Sequence, residues 1–508
     1  MTRENAYQPG ESVGRRRTAM TIPPEELPGQ ANALLEHGYR VALVAGHDDG
    51  DRLRAVYVFT AGASGLRVEL RVPLDPRTSA VPSLAGASFP AGRFEREMAD
   101  LFGVVPTDHP LPRRLVRHFH WPRGWHPMRA DAGEPPTFGD VDGPYPFGTV
   151  EGTGVYEIPV GPVHAGMIEP GHFRFSVVGE TILNLKARLW FVHKGLEKLF
   201  VGRRPEDAIE LTERISGDTA VGHTLAFCEA IEDATGLVVP RDQQRIRAVL
   251  LELERLYNHV TDIGALCNDV GHGILNTHAQ RIREQLLRVN DTVTGHRLLR
   301  GGVWPGGAAV DSLPEPAKLS AIGADIAEIA RLALDQTVVR DRFAGTAILT
   351  RQQASDLGAL GYVARASGVD VDARTHHAEL SEAQPISTYT VADGDVLSRF
   401  HARVDEISDS IRIIETLMQS LGTDEGAQSV RIEQEGPVRT GIGLVEGWRG
   451  TIAHRVELAA DGTITRTKVV DPSFFNWPAL PVALADTIVP DFPLTNKSFN
   501  LSYAGNDL

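Results

Sequence analysis

The sequence predicts an α+β protein, in which a small N-terminal α+β domain precedes a larger, mainly helical bundle with short β-sheets at its margins. Three observations predict this class. Strand-like runs concentrate in residues 25–130, long helix-like stretches dominate the rest of the chain, and a segment rich in Gly, Pro and Asp separates the two regions. A chain of 508 residues, 42% of them hydrophobic, can bury cores for more than one domain.

Shifts in composition mark the domain boundaries. Residues 1–24 are polar and contain Gly and Pro, so we expect a disordered tail. Residues 25–130 are predicted to form the small α+β domain, and residues 131–154 an exposed linker. The remaining residues, 155–508, are predicted to form the larger domain.

The small domain is predicted to begin with a helix, continue with strands and end with a second helix. The first helix runs from Glu25 to His37, and the second, which is amphipathic, covers Phe94–Phe102. Between them, strand-like runs lie at Arg40–Ala45, Arg54–Thr60 and Leu66–Val72.

Two β-hairpins are predicted in the larger domain, one near its start and one near its end. Gly179-Glu180 is a tight turn between two strand-like runs, and the Ala-Ala-Asp-Gly stretch that begins at Ala459 is a second turn signal. The four strands are expected at His172–Val178, Thr181–Leu189, Thr451–Leu458 and Thr463–Val470.

Long helices are predicted between these hairpins. In Gln243–Cys267 the apolar residues recur at three- and four-residue steps, which places them on one face of a helix. Pro240 and Asp242 mark its start, and Gly271 lies just past its end. His259 is on the polar side of this helix, so we expect it to be solvated or to lie at an interface. Comparable helices are expected near Thr277–Leu299, Glu315–Thr337 and Val396–Leu421.

Charge and cysteine content exclude several classes of protein. The net charge of −15 argues against a nucleic-acid binder, which would carry a basic face. The sequence contains no run of about 18 apolar residues, so no membrane-spanning helix is predicted. A signal peptide is not expected either, because no apolar stretch follows Arg15-Arg16-Arg17. Cys228 and Cys267 do not form a C-x-x-C pair, so we expect this chain to hold no zinc site or iron-sulfur cluster by itself. A cytoplasmic location fits so few cysteines.

One stretch of the small domain matches a known signature. Residues 94–103 read F-E-R-E-M-A-D-L-F-G and resemble the E-R-E-x-x-D-L-F-G motif of the C-type subunit of respiratory complex I. The pattern continues at His109-Pro110, Arg113-Arg114-Leu115 and His126-Pro127-Met128-Arg129. The resemblance implies that residues 25–130 form a complex I C-type, 30-kDa-like domain.

The larger domain carries a second family pattern. Its stretches are Gly161-Pro162-Val163-His164, Glu169-Pro170-Gly171-His172-Phe173-Arg174, residues 192–199, Arg365-Ala366-Ser367-Gly368 and residues 472–478. They are similar to the D-type subunit of complex I, and more closely to the large subunit of group 4, formate hydrogenlyase-type nickel-iron hydrogenases. The resemblance covers roughly residues 25–508 and implies the fused C-plus-D order and the hydrogenase large-subunit fold.

The same resemblance implies that the nickel ligands are replaced. In the hydrogenases, two C-x-x-C pairs hold nickel and iron. Here Ser216 and Thr219 stand at the first pair of cysteine positions, and Ser502 and Gly505 at the second. Hydroxyl groups and a glycine cannot replace soft thiolates, so we expect no nickel-iron hydrogen chemistry.

Polar residues around these positions form the candidate site. The resemblance implies a pocket lined by Asp218, His223, His164, Glu169, His172 and Arg365. This pocket either handles protons or binds a ligand, or its side chains hold loops together by hydrogen bonds. A carboxylate in a partly dry cleft has a raised pKa unless a cation is close, and Arg214 or Arg365 could be that cation at Asp218.

Three functions remain open at the level of the sequence. The first is a core subunit of a membrane-associated oxidoreductase that couples electron transfer to ion translocation without nickel. The second is an altered quinone-reducing site, because Glu169 to Gly171 and Gly217 stand where complex I has its quinone-binding His and Tyr. The third is a non-catalytic scaffold, so whether this chain is itself an enzyme stays open.

Partners and location are also implied by the resemblance. We expect an iron-sulfur small subunit that carries the cluster, membrane-arm subunits of the complex I or antiporter type, and no nucleic acid. The chain itself is expected to bind no cofactor, with quinone as the alternative. It is expected on the cytoplasmic side, peripheral to the inner face of the cell membrane through its partners.

Overall fold

A five-stranded sheet in the order β1-β2-β5-β4-β3 forms the centre of the N-terminal unit. The computed structural model describes residues 11–14, 16–62, 65–75, 77–139, 141–166, 168–376, 392–422 and 439–508, and the backbone of 430–431. The strands are β1 (Glu11–Gly14), β2 (Arg17–Thr21), β3 (Tyr39–Asp48), β4 (Leu53–Ala61) and β5 (Arg67–Pro73). A 3-10 turn at Pro24–Glu26 leads into α1 (Leu27–Glu36), and α2 (Phe89–Phe102) packs on β3.

Strand β2 corrects the prediction of a disordered tail. It pairs in parallel with β5, from Arg17 opposite Arg67 to Thr21 opposite Arg71. Arg17 is 1% exposed because its guanidinium reaches Glu69 and residues of the larger unit. The prediction of disorder is therefore wrong for the described residues 17–22, because long-range pairing outweighs a polar local composition.

The other predicted elements of the small unit are confirmed. Helix α2 starts five residues earlier than expected, since Ser88 caps it by accepting a hydrogen bond from the Ala91 amide. Gly103 ends it in the left-handed conformation, with φ of 74°. A short parallel pair, β6 (Ala80–Pro82) and β7 (Val105–Thr107), follows. The described residues of 131–154 contain no helix or strand, and the linker assignment stays a prediction.

The larger unit opens with a three-stranded antiparallel sheet and continues as a helical bundle. The predicted hairpin is present, as β9 (His172–Val178) and β10 (Thr181–Arg188), and β8 (Val155–Val160) pairs with β9. The helices are α3 (Leu196–Phe200), α4 (Pro205–Thr212), α5 (Ala220–Thr235), α6 (Arg241–Asp269), α7 (Gly273–Thr294), α8 (Pro316–Asp335), α9 (Thr337–Phe343), α10 (Arg351–Asp356), α11 (Gly361–Ala366), α12 (Ala373–His376) and α13 (Val396–Gln419). Two short strand pairs join β11 (Leu237–Val238) to β14 (Val430–Arg431) and β12 (Val303–Trp304) to β13 (Gly307–Ala308).

A second three-stranded sheet, near the C-terminal end, packs against α5. Its strands are β15 (Arg439–Gly447), β16 (Gly450–Leu458) and β17 (Ile464–Val470), the last two being the second predicted hairpin. Gly441 and Gly443 let β15 touch the helix, because a Cβ at either would lie 1.9 Å from a carbonyl oxygen of α5. Short helices follow, α14 (Pro472–Asn476), α15 (Ala479–Ala483), α16 (Phe492–Phe499) and α17 (Tyr503–Asp507), with a 3-10 turn at Val489–Asp491.

The two units share one hydrophobic core. Apolar side chains of the N-terminal sheet, the β8–β10 sheet and the C-terminal helices form a continuous buried cluster, whereas the long helices bury a second cluster among themselves. The fold is therefore α+β with a mainly helical second part, as the sequence predicts. Within the described residues, no helix is both long and apolar enough to cross a membrane.

Candidate functional site

The four positions predicted to replace cysteines lie together, although they come from opposite ends of the larger unit. Ser216 and Thr219 precede α5, and Ser502 and Gly505 lie at α17. The hydroxyl oxygens of Ser216 and Ser502 are 2.8 Å apart and share a hydrogen bond. Ser502 also caps α17 by accepting a hydrogen bond from the Gly505 amide at 2.9 Å.

A carboxylate fills the space beside the fourth position. A Cβ at Gly505 would lie 2.6 Å from the carboxyl carbon of Asp471, so no larger residue fits without a shift. The residues present offer two serine hydroxyls, one threonine hydroxyl and a glycine, which are not the soft donors that nickel requires. The site therefore does not fit a nickel-iron centre. In the part of the chain that the structure describes, no three His, Cys, Asp or Glu side chains are arranged to hold a metal ion.

Asp218 forms a two-armed ion pair with Arg449, both contacts being 2.7 Å long. Ser216 and Thr219 donate further hydrogen bonds to the same carboxylate. Burial alone would raise the pKa of Asp218, but Arg449 and these hydrogen bonds outweigh it and lower the pKa to about 2. The cation at Asp218 is thus not Arg214, which pairs with Glu210.

Three side chains fix the backbone of the loop that carries Asp218. Its carbonyl oxygen accepts hydrogen bonds from Tyr257, Asn258 and the indole of Trp448. Tyr257 and Asn258 belong to α6, so the longest helix of the bundle sets the position of the loop. Asp218 itself keeps 39% of its side chain exposed.

Arg449 links two loops to each other, residues 216–219 before α5 and residues 500–502 before α17. Besides Asp218 it donates to the carbonyl oxygen of Asn500, two residues before Ser502, at 2.6 Å. Its guanidinium lies 3.9 Å from the centre of the Trp448 ring. Asn500 ends α16 with φ of 37°, in the left-handed region that asparagine tolerates better than most residues. The arginine therefore holds the two loops to each other.

His223 lies behind the loops in a buried chain of three titratable groups. One ring nitrogen contacts Asp471 at 3.0 Å, and the other contacts His454 at 3.1 Å. Burial alone would raise the pKa of Asp471, but His223, Arg449 and Ser473 together outweigh burial, so the pKa is lowered. Burial lowers the pKa of His454 well below its usual value, which keeps that ring neutral.

The remaining predicted residues are only partly at this site. Glu169 accepts a hydrogen bond from the Ala504 amide, so it contacts the first turn of α17, which follows Ser502. His164 and His172 instead bond to carbonyl oxygens of the β8–β9 connection, those of Gly171 and Gly161. These contacts fasten that connection and do not reach Asp218.

Arg365 belongs to a buried cluster of acidic side chains. It pairs with Glu406, Glu446 and Asp372 at 2.5, 2.8 and 3.2 Å. The cation at Asp218 is Arg449 and not Arg365, and a pocket lined by both Asp218 and Arg365 stays a prediction. The prediction that His259 is solvated or lies at an interface is also wrong. Its side chain is fully buried and forms a hydrogen bond with Glu406 at 2.7 Å.

Sequence reasoning missed the residues that complete the site. Arg449 and Trp448 lie in the glycine-flanked turn between β15 and β16, and a turn signal there was available in Gly447 and Gly450. Asp471 and His454 gave no local signal, because their partner His223 is more than two hundred residues away.

Comparisons with known proteins agree along the chain. Family models match residues 20–136 (respiratory-chain NADH dehydrogenase, 30 kDa subunit), residues 194–267 (nickel-dependent hydrogenase) and residues 269–440 (respiratory-chain NADH dehydrogenase, 49 kDa subunit). The chain is 30% identical to hydrogenase-4 component G of Escherichia coli (strain K12), over 88% of this chain and 79% of that protein. It is 29% identical to formate hydrogenlyase subunit 5 of the same organism, over 89% and 82%.

Two further proteins resemble this chain, one in the fused order of its units and the other in its fold. The fused C/D polypeptide of NADH-quinone oxidoreductase from Bacteroides fragilis is 28% identical, over 82% of this chain and 84% of that protein. A chain in the solved structure of the membrane-bound sulfane sulfur reductase, an archaeal respiratory membrane complex, has a TM-score of 0.63. That likeness covers 70% of this chain and 98% of the other at 23% identity, and shows a shared fold.

Proposed function

Because this chain belongs to the family of hydrogenase-4 component G, formate hydrogenlyase subunit 5 and the fused C/D polypeptide of NADH-quinone oxidoreductase, we propose that it is a core subunit of a membrane-associated respiratory oxidoreductase that works without nickel. Its partners would be an iron-sulfur small subunit and membrane-arm subunits of the complex I or antiporter type. The complex would couple electron transfer to ion translocation from the cytoplasmic side of the membrane.

One observation carries the nickel-free part of this proposal. Ser216 and Ser502 bond to each other where relatives of the hydrogenase type would place thiolates, and Asp471 fills the space beside Gly505. Restoring a metal would require soft donors, which these positions do not offer. Both cysteines are buried in helices away from these loops, and burial raises the pKa of each thiol, so neither supports a cluster here.

A scaffold role is the second candidate, and the arrangement of Asp218 favours it. Its carboxylate is paired with Arg449 and hydrogen-bonded by two hydroxyl groups, and its low pKa keeps it ionised near neutral pH. A carboxylate held in this way fastens loops and does not exchange protons readily. An altered quinone site has no comparable support from the described side chains around Asp218.

The test is purification of the intact complex from its own cells. A tagged chain should leave the membrane with detergent and bring along an iron-sulfur protein and membrane-spanning subunits, and the complex should not oxidise hydrogen. Quinone-dependent turnover would separate a redox-active role from the scaffold role. A chain that purifies alone from the cytosolic fraction would contradict the complex, and hydrogen turnover would contradict the nickel-free site. Asp131→Asn, at an exposed ion pair, provides a matched surface control for variants of Asp218.

A further inference from the structure

Glu254 differs from the other acids that flank it in the helical bundle. On the same helix, Glu252 pairs with Arg255 at 2.9 Å and Asp262 pairs with Arg403 at 3.0 Å. Among the described residues, no cationic side chain makes a hydrogen bond or ion pair with Glu254, although it is only 1% exposed. An ionised carboxylate enclosed in this way is costly unless a cation or several hydrogen bonds compensate.

The partners of Glu254 lie immediately after the candidate loop. Its two oxygens accept hydrogen bonds from the amides of Val221 and Gly222, at 2.7 and 3.0 Å, in the first turn of α5. A Cβ at Gly222 would meet Glu254 at 3.3 Å and the methyl group of Thr219 at 3.1 Å. Glu254 therefore holds the first turn of α5, which directly follows the loop that carries the partly exposed Asp218.

The groups that face Glu254 come from three elements. Arg255 on its own helix is directed to Glu252, Glu406 and the turn after β15. The loop contributes the negative charge of Asp218, and Ile452 of β16 covers the other side of Gly222. Arg255 still lowers the pKa of Glu254 through its charge, and Tyr257 of the same helix interacts with Glu254 electrostatically, but the hydrogen-bond donors to the carboxyl oxygens are the two backbone amides.

We propose that Glu254 is a proton-holding residue of the candidate site, which carries a proton near neutral pH and links the loss of that proton to the position of the first turn of α5 and of the loop 216–219 that precedes it. Only the use of this proton by the complex, in coupling electron transfer to ion translocation, rests on the proposed function. A protonated carboxyl has one carbonyl-type oxygen, so it holds one amide well, whereas the carboxylate holds both. Release of the proton from the carboxyl oxygen to solvent thus tightens the start of α5 against α6.

The expected titration agrees with this geometry. Burial is the largest influence and raises the pKa of Glu254 to about 8, while the two amide hydrogen bonds lower it by less and Asp218 adds to the rise. Because the folded pKa lies above that of the unfolded chain, the folded protein holds more protons between the two values. The contribution of Glu254 to stability therefore falls as the pH rises through this range.

The test is infrared titration of the purified full-length chain, from about pH 6 to about pH 9. Wild-type protein should show a protonated-carboxyl band that disappears with a midpoint near pH 8, and Glu254→Gln should lack it. Glu95→Gln is the matched control, since burial also raises the pKa of Glu95, to about 7, in the other unit. That variant should keep the band with the higher midpoint.

The link to the loop has its own readout in Trp448, whose indole donates to the Asp218 carbonyl oxygen. The fluorescence difference between wild type and Trp448→Phe should titrate with the same midpoint, and this response should be absent in the Glu254→Gln background. Identical carboxyl spectra for wild type and Glu254→Gln would overturn the proposal. If Glu254→Gln does not fold, a wild-type spectrum without any band that titrates near pH 8 overturns it equally. Neither result depends on turnover of the complex, so failure here is distinguishable from failure of the proposed function.

Discussion

At the scale of single residues, hydroxyl groups and an ion pair hold together the two loops that carry the four positions predicted to replace cysteines. Ser216 and Ser502 hold each other, and Arg449 spans from Asp218 to the second loop. Each contact is modest in water, but the loops are joined by several at once. The site therefore keeps its shape through side chains of the protein itself.

Asp218→Asn should destabilise the fold by about 1–2 kcal/mol, because it removes the charge that pairs with Arg449. The partial exposure of Asp218 keeps the effect below that of a fully buried pair. Since the pKa of Asp218 is lowered to about 2, its contribution is present above the unfolded value and is lost as the pH falls through about 2. Thermal unfolding of both proteins at several pH values checks this. Equal stability of wild type and Asp218→Asn near neutral pH would show that the ion pair with Arg449 does not stabilise the fold.

Gly505→Ala should destabilise the fold by about 1–3 kcal/mol, because the added methyl group meets the carboxyl group of Asp471. Gly217→Ala is the matched control, since a Cβ there has no neighbour within 4 Å. Denaturant unfolding of the two variants measures the difference. If both behave like wild type, Asp471 moves freely and does not fill the fourth position.

At the scale of elements, the periodicity of apolar residues predicts most helices and strands correctly. The 29-residue helix α6 and both hairpins follow from local patterns and turn residues. Strand β2 could not be predicted in this way, because its burial comes from pairing with β5 and from Arg17, whose partners are distant in sequence. The same limit applies to the site, where Arg449 and Asp471 complete loops that are far away along the chain.

Arg17→Gln should destabilise the protein by about 3–5 kcal/mol, since it leaves buried Glu69 and Asp233 with fewer cations. Arg16→Gln is the neighbouring control, because Arg16 is exposed and its change should alter stability by less than about 0.5 kcal/mol. Equal effects of the two substitutions in chemical denaturation would mean that β2 is not fastened by this network.

At the scale of the whole molecule, the fused units behave as one folded body with a common core. Arg455 of the C-terminal sheet pairs with Glu69 of the N-terminal sheet, and Lys468 pairs with Glu97 of α2. Contacts of this kind join the units directly and do not depend on residues 131–154. The family resemblance found the two units, but the residues that join them emerge only from the fold.

Limited proteolysis should cut first within residues 131–154, where the described residues form no helix or strand. The two fragments should then remain together in gel filtration, because buried ion pairs and a shared core hold them. First cleavage inside α6 would contradict the boundary. Fragments that separate without denaturant would contradict the shared core.

The most direct test of the nickel-free site is elemental analysis of the chain produced together with hydrogenase maturation factors. A four-cysteine hydrogenase large subunit produced in the same cells shows that nickel is delivered. Our account predicts that this chain contains no stoichiometric nickel, because Ser216, Thr219, Ser502 and Gly505 offer no thiolate. One nickel per chain, retained through purification, would contradict it.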